Sequence, residues 1–221
     1  MKRVALTLFL LVLPIQVSAQ TRDHAPSSLS SASRLRQDKS GSESWTYAKP
    51  GLRLGDFRSV MIAPTIVYSG ADAQFDGVDA ADRQKYARMV TEALREELAK
   101  SFPLVSTAAA DTLRIRVTLL GADTTKGGVA TATRVTPLGL AASAARSLRG
   151  KEGRFTGSLL LALELHNGRG NELQFAAVRR RSPDALDIPA TLSTTETVKA
   201  VAEALAKDIR EKLQRAGGRA D

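Results

Sequence analysis

The hydrophobic pattern is clearest over residues 59–120, where it predicts a strand, a helix and another strand. Within residues 82–100, apolar side chains recur at the three- and four-residue spacing that collects them on one stripe of a helix. Asp79 is placed to cap the start of this helix, and Pro103 is placed to end it. We expect the stripe to be buried. It consists of Tyr86, Met89, Val90, Ala93, Leu94 and Leu98.

The segments on either side of this helix have the patterns of two kinds of strand. Residues 60–68 are almost all apolar, which is typical of a strand covered on both faces, although Pro64 favours an edge or a bulge. After the helix, apolar residues alternate with Arg114, Arg116 and Thr118. This alternation predicts a strand with one face on the helix and the other in water.

A hairpin and a second helix are predicted from the C-terminal part of the chain. Residues 155–166 and 172–181 alternate in the same way, and the Gly- and Asn-rich residues 167–171 between them favour a tight turn. Ser193 and Glu196 have the spacing of a capping box. The helix that they open carries an apolar stripe from residue 198 to residue 213.

These elements predict an α+β fold, because two striped helices are separated by a run of mostly antiparallel strands. We expect a two-layer sandwich in the order β-α-β-β-β-β-α, with about four to five strands and both helices on one face. A single domain is predicted over residues 45–215, followed by a tail over residues 216–221. The Gly-, Ala- and Thr-rich residues 122–153 remain open as a lid, a partner site or a disordered insertion.

The start of the chain has the layout of a secretory signal. Lys2 and Arg3 precede an apolar run, and small residues precede a predicted cleavage between Ala19 and Gln20. A membrane anchor is the alternative, but the run is shorter than the roughly 20 residues that span a bilayer. We therefore expect residues 1–19 to be removed. Residues 20–44, which are rich in Ser and Arg, are predicted to form a flexible leader.

The charge balance favours anionic partners. The chain has 32 basic and 23 acidic residues, so removal of Lys2 and Arg3 leaves 30 against 23, a net charge of +7. Arg179, Arg180 and Arg181 form the densest basic cluster. They are candidates for contact with an anionic wall or lipid component, and the alternative is a solvated strand end. Nucleic acid is disfavoured as a partner, because no recognised binding module is present.

The only tryptophan, Trp45, lies close to Tyr47. The two rings could form a stacking platform for a sugar or a base. We favour an aromatic clasp that holds the leader on the domain, because such side chains bury a large area.

The sequence predicts no catalytic, cofactor-binding or metal-binding residue. Its two histidines, His24 and His166, lie in the leader and beside a turn, where we expect them to be solvated. Asp76, Asp79 and Asp82 alternate like cation ligands, but the Gly and the terminal Glu of a calcium loop are missing. Helix capping explains these carboxylates better.

Several segments resemble the bacterial envelope proteins of the DUF3313 family, many of which are lipoproteins. Within residues 157–180 the hairpin pattern of the family is kept in part. The matches there are Glu164, Glu172, Ala176 and Ala177, while Asn167, Gly170 and Asn171 replace an Asp, a Thr and a Gly. Because Asn tolerates the left-handed conformation, we expect the turn to be kept. The other segments are Trp45-Thr46-Tyr47 with Pro50, Ile62-Ala63-Pro64, Phe102-Pro103-Leu104-Val105 and residues 112–117.

The resemblance extends over residues 29–213 and implies an envelope location and a fold. It transfers no catalytic residue, since the family has no established activity. Its members usually carry a lipobox cysteine, whereas this chain has no cysteine for an acyl anchor or a disulfide. We therefore expect a periplasmic or secreted protein that is not lipid-anchored.

The function predicted from the sequence is that of a non-catalytic envelope protein that binds or supports another component. A first alternative is a periplasmic hydrolase of cell-wall material that uses Asp123 and Glu152. A second is a basic module that associates with the anionic envelope surface through the arginine cluster. The identities of the ligand and the partner protein are not encoded in any motif.

Overall fold

The computed structural model describes residues 23–124, 157–183 and 193–218. These residues form an α+β structure with one mixed sheet and two helices. The helices are α1 (Ala80–Ala99) and α2 (Thr194–Ala216), and a short 3-10 helix spans Leu54–Asp56. The strands are β1 (Arg36–Gln37), β2 (Ser44–Ala48), β3 (Ser59–Ile62), β4 (Ile66–Val67), β5 (Gln74–Asp76), β6 (Thr112–Asp123), β7 (Ser158–Asn167) and β8 (Leu173–Arg181).

The sheet has the order β1-β2-β8-β7-β6-β3, and β4 and β5 also pair with β6. The pairs that β3, β4 and β5 make with β6 are parallel, because α1 is the crossover between them, and the remaining pairs are antiparallel. The predicted number of strands was wrong, since the described residues contain eight. The apolar run around Pro64 divides into β3 and β4, and β1 comes from the predicted leader.

Both helix starts are capped as the sequence predicts. Asp79 Oδ1 accepts a hydrogen bond of 2.8 Å from the backbone N–H of Asp82. Ser193 Oγ accepts one of 3.2 Å from the N–H of Glu196. Helix α1 ends at Ala99, ahead of Pro103. These caps satisfy backbone donors that the first turn of a helix leaves without partners.

The main core lies between the helices and one face of the sheet. The stripe of α1 packs with that of α2 against inward-facing residues of β3, β6 and β7. Val90, Leu94 and Leu98 of α1 are fully buried, which confirms the helical pattern. The matching residues of the other elements are Val60, Leu113, Ile115, Leu119, Leu159, Val198 and Val201.

The predicted hairpin is confirmed for β7 and β8. Asn167 Oδ1 accepts hydrogen bonds from the N–H groups of Gly170 and Glu172, at 3.0 and 3.2 Å. Asn171 takes a left-handed conformation with φ of 49°. Asn167 thus supplies the side-chain acceptor of the turn, and Asn171 supplies its left-handed backbone conformation.

The second face of the sheet is also covered, by a segment that we call the strap, residues 23–35. Ala25, Leu29 and Leu35 of the strap join a second apolar cluster with Leu160 and Val178 of the sheet. The prediction that the second face of β6 meets water was therefore wrong at Thr118 and Leu120, which are buried, while Arg114 and Arg116 are half-buried. Residues 23–37 also differ from the flexible leader that the sequence predicts, because β1 continues from the strap and pairs with β2.

Three regions of the sequence predictions lie outside the described residues. They are the signal sequence with its cleavage site at Ala19 and Gln20, most of the Gly- and Ala-rich segment, and the end of the tail. Among the described helices, none combines the length and apolar character needed to cross a bilayer.

Candidate functional site

The candidate site is the face of the sheet that the strap covers. A buried ion pair holds the first residue of the strap in place. Arg180 Nε and Nη2 each donate a hydrogen bond of 2.7 Å to the carboxylate of Asp23. Only 7% of the Asp23 side chain is exposed. Arg180 Nη1 also donates to Asp123 at 3.0 Å and to Ser158 Oγ at 2.8 Å. Burial opposes the charge of Arg180, but the two carboxylates raise its pKa.

The neighbours of Arg180 in the cluster are ion-paired as well. Arg179 Nη2 donates to Asp38 at 2.8 Å, and Arg181 Nη2 donates to Asp208 of α2 at 2.9 Å. Hydrogen bonds led by that from Thr46 lower the pKa of Asp38. The candidate anion contact at residues 179–181 thus consists of guanidinium groups that already bind carboxylates of this chain. The cluster holds elements together, and this arrangement disfavours a free anion-binding role.

The middle of the strap is held by a short hydrogen-bonded chain. Ser28 Oγ and the Tyr68 hydroxyl lie 2.7 Å apart, and that hydroxyl donates to Asp72 at 2.6 Å. His24 Nε2 lies 3.3 Å from the second oxygen of Asp72. The bond from Tyr68 lowers the pKa of Asp72. The strap is thus tied to the loop between β4 and β5 as well as to β8.

Trp45 and Tyr47 lie on β2 and pack against the apolar cluster that contains Leu29 and Leu35. The guanidinium carbon of Arg34 lies 5.5 Å from the centroid of the Tyr47 ring. The two rings therefore lie on the face of the sheet that the strap covers, and the aromatic clasp stays a prediction.

Glu164 and His166 of β7 form the polar end of the covered face. Glu164 is buried, and its Oε1 accepts a hydrogen bond of 2.8 Å from Ser30 Oγ of the strap. His166 is only 3% exposed, so the expectation that it is solvated was wrong. Burial lowers its pKa; Glu164 opposes this effect, and Arg116 and Arg114 add to it. Its Nδ1 atom is buried without a hydrogen-bond partner.

The structure also locates the residues of the hydrolase alternative. Asp123 accepts hydrogen bonds from Arg180 and from Ser158 Oγ, the latter at 2.9 Å, while Glu152 lies outside the described residues. Within the described ranges, no group of three or more His, Asp or Glu side chains could hold a metal ion. Asp79 caps α1, and no cation ligation is required to explain it.

Sequence reasoning missed Asp23 and Glu164 as site residues. Of the two, only Glu164 has a signal in the sequence. It is an acidic residue on the polar side of an alternating strand, and the strand before it also has a polar side. Asp23 had none, because its partner Arg180 is 157 residues away.

The fold and the strap define an α+β protein whose single described sheet is covered on both faces. The model of DUF3313, a family of proteins of unknown function, matches residues 25–209. The chain therefore belongs to the DUF3313 family, and the match includes most of the strap. No curated protein matches this sequence.

Solved structures with partial similarity include proteins from three bacteria. A PelC dodecamer from Paraburkholderia phytofirmans is 11% identical, covering 78% of this chain and 96% of that chain with a TM-score of 0.39. A DUF330 protein from Xanthomonas campestris is 8% identical, covering 73% and 86% with a TM-score of 0.39. A DUF4136 protein from Bacteroides thetaiotaomicron is 13% identical, covering 79% and 96% with a TM-score of 0.35.

Proposed function

We propose that the mature chain is an exported, non-catalytic protein of the cell envelope that acts as a binding or accessory module. The layout of residues 1–19 supports export. The observation that carries the proposal is the strap: Asp23, the fourth residue after the predicted cleavage, is locked to Arg180. A mature chain that begins at Gln20 would therefore enter its fold almost at once, without a long tether.

The state of the acidic side chains supports a non-catalytic role. Hydrolysis of wall glycans uses two carboxyl groups, one of which is kept protonated by a raised pKa. Here Asp23 and Asp123 bind Arg180, and the pKa of Asp38 and that of Asp208 are both lowered. A carboxyl group with a lowered pKa is a poor proton donor at neutral pH. Their arrangement is suited to holding the strap.

Export is tested by fractionating cells that express the full chain. We expect the protein in the periplasmic fraction, and mass spectrometry should find a mature chain that starts at Gln20. A chain lacking residues 2–19 is the control and should stay in the cytoplasm. Recovery of the full-length, unprocessed protein from the cytoplasm would overturn the proposed location.

The non-catalytic role is tested by incubating the mature chain with purified peptidoglycan. We expect no release of soluble fragments above background. Asp123→Asn removes the carboxylate of the hydrolase alternative, and Ser158→Ala is its matched control, because it disturbs the same hydrogen bonds and keeps that carboxylate. If the mature chain released fragments, and Asp123→Asn abolished this activity while Ser158→Ala kept it, the hydrolase alternative would be correct.

A further inference from the structure

Two arginines on β6 differ from those of the cluster at residues 179–181, because neither is ion-paired. Arg114 and Arg116 are half-buried and lie two positions apart, so they point to the same face, the face that the strap partly covers. The side chain of Arg116 makes no hydrogen bond or ion pair within the described structure. Arg114 Nη1 makes one long hydrogen bond of 3.3 Å to Asn171, and its Nε is buried without a partner.

The neighbouring strand, β7, adds a third polar group, and one of its nitrogen atoms has no hydrogen-bond partner. In the register of β6 and β7, Arg114 lies opposite His166, and Arg116 lies opposite Glu164. His166 Nδ1 and Arg114 Nε are both buried without a hydrogen-bond partner, and the two residues lie opposite each other in this register. Directly opposite residues of an antiparallel pair have Cβ atoms about 4.5–5.5 Å apart, so these groups can reach one ligand. A buried polar atom without a partner is costly, and a ligand atom would remove that cost.

The charges around this patch indicate what would fit. Glu164 accepts a hydrogen bond from Ser30 of the strap and is not ion-paired with Arg116 among the described contacts. With His166 neutral, the two guanidinium groups and the one carboxylate leave a formal charge of one positive unit. Two neighbours of Arg114 at the edge of the patch are uncharged: Asn171 of the hairpin turn and Met61 of β3. A singly charged anion balances this patch, whereas a phosphate dianion would reverse its sign.

We propose that Arg114, Arg116 and His166 form a binding site for a carboxylate group of an envelope ligand. The planar fork of a guanidinium matches the two oxygens of a carboxylate, and the imidazole supplies a further donor beside it. This site deepens the proposed function, because it names the class of partner. The site depends on the proposed envelope location only for the compartment in which the protein encounters the ligand.

The experiment uses the histidine rings of the mature chain as NMR reporters. The chain has two histidines, so His24→Asn assigns the resonances of His166. The probes are sodium acetate and inorganic phosphate, each added at constant ionic strength with chloride as the balancing anion. We expect a saturable shift of the His166 resonances with acetate. Bound carboxylate also raises the pKa of His166, because a nearby negative charge favours the imidazolium.

Two variants test whether the arginines are responsible. Arg116→Gln should weaken acetate binding by about tenfold or more, because it removes a charged hydrogen bond. Arg169→Gln is the control, since it removes the same charge at an exposed position of the hairpin turn. Arg114→Gln serves as a second variant, and thermal melting verifies that each protein is folded.

The outcomes separate the site from general screening. No saturable shift, or the same shift in Arg116→Gln and Arg169→Gln, would overturn the site. Tighter binding of phosphate than of acetate would overturn the assignment to a carboxylate. Acetyl-alanine and glucuronate then distinguish a peptide carboxylate from a sugar acid, and tighter binding of either supports the site and identifies the source. Because all measurements use purified protein, a cytoplasmic location would overturn the proposed function and leave this result standing.

Discussion

At the scale of single residues, buried charges and imidazoles set the chemistry of this protein. Asp23, Glu164 and His166 lie beneath or within the strap, and each is almost fully removed from water. Removing a charge from water costs free energy that only a partner can offset. The cost is offset for Asp23 by Arg180 and for Glu164 by Ser30. Burial lowers the pKa of His166 and so opposes its protonation; Glu164 acts against this effect, and Arg116 and Arg114 add to it.

We predict that acid destabilises the protein through His166. Its pKa is lowered in the folded state, so the unfolded chain takes up the proton first as pH falls below about 6.5. The stability that the neutral imidazole provides is complete above that pH and is lost as pH falls towards the folded pKa. Urea unfolding at about pH 7.5 and about pH 5.5 measures the difference.

The matched variants for this prediction are His166→Gln and His24→Gln. The first should reduce the loss of stability between the two pH values, while the second removes the other imidazole of the chain and keeps the buried one. Carboxylates with a lowered pKa, such as Asp38, lose their contribution only at more acidic pH. An equal loss in all three proteins would contradict the role of His166.

Removal of the Asp23 carboxylate is predicted to be costly. Asp23→Asn should lower the free energy of unfolding by about 2–4 kcal/mol, since it breaks a buried ion pair and leaves Arg180 with Asp123 alone. Arg53→Gln is the control, because the pair of Arg53 with Asp56 is largely exposed and contributes less than about 0.5 kcal/mol. Chemical denaturation measures both, and equal effects would mean that the strap is not held by its first residue.

At the scale of elements, the strap and the hairpin turn carry the features that distinguish this fold. The strap covers an apolar face of the sheet and contributes few apolar side chains of its own, among them the buried Leu35. The turn between β7 and β8 depends on Asn167 for hydrogen bonds and on Asn171 for backbone conformation. Each of these elements can be tested with one substitution.

Leu35→Ala is predicted to loosen the strap. Leu35 is 6% exposed, so truncation should cost about 2–3 kcal/mol and should increase the binding of a hydrophobic dye. Leu104→Ala makes the same truncation at a site that is 41% exposed, and it should cost less than about 1 kcal/mol. A dye response of equal size in both variants would show that the strap does not seal the face.

The hairpin turn is predicted to tolerate Gly and to resist Ala at residue 171. Asn171 has φ of 49°, a region that most side chains adopt at a cost of about 1–2 kcal/mol. Asn171→Ala should therefore lower the thermal midpoint, whereas Asn171→Gly should leave it nearly unchanged. A lower midpoint in the Gly variant alone would contradict this explanation.

At the scale of the whole molecule, local patterns were predictable from the sequence and distant pairings were not. The stripe of α1, its cap at Asp79 and the hairpin depend on residues within a few positions of one another, so their signals survive in the sequence. The strap depends on bonds such as Asp23 to Arg180 and Ser30 to Glu164, which join residues 157 and 134 positions apart. The composition of the strap is that of a flexible leader, which explains why the sequence predicted no fixed structure for it.

The number of strands was missed for a related reason. Strands β1 and β4 contain two residues each, too few for an alternating pattern to be visible. Strand β1 forms because it pairs with β2, and strand β4 forms because it pairs with the long strand β6. The carboxylates that pair with residues 179–181 were not predictable for the same reason, since a run of arginines does not reveal its distant partners.

The alternation of β8 has a consequence for how this family can vary in length. Arg180 reaches the strap, and its neighbour Arg181 reaches α2 on the opposite side. Insertion of a single amino acid upstream within this strand would exchange the two sides and deprive both layers of their anchors at once. Natural gains and losses of residues should therefore gather in the turn at 168–171, where an added residue leaves both anchors facing their own layers.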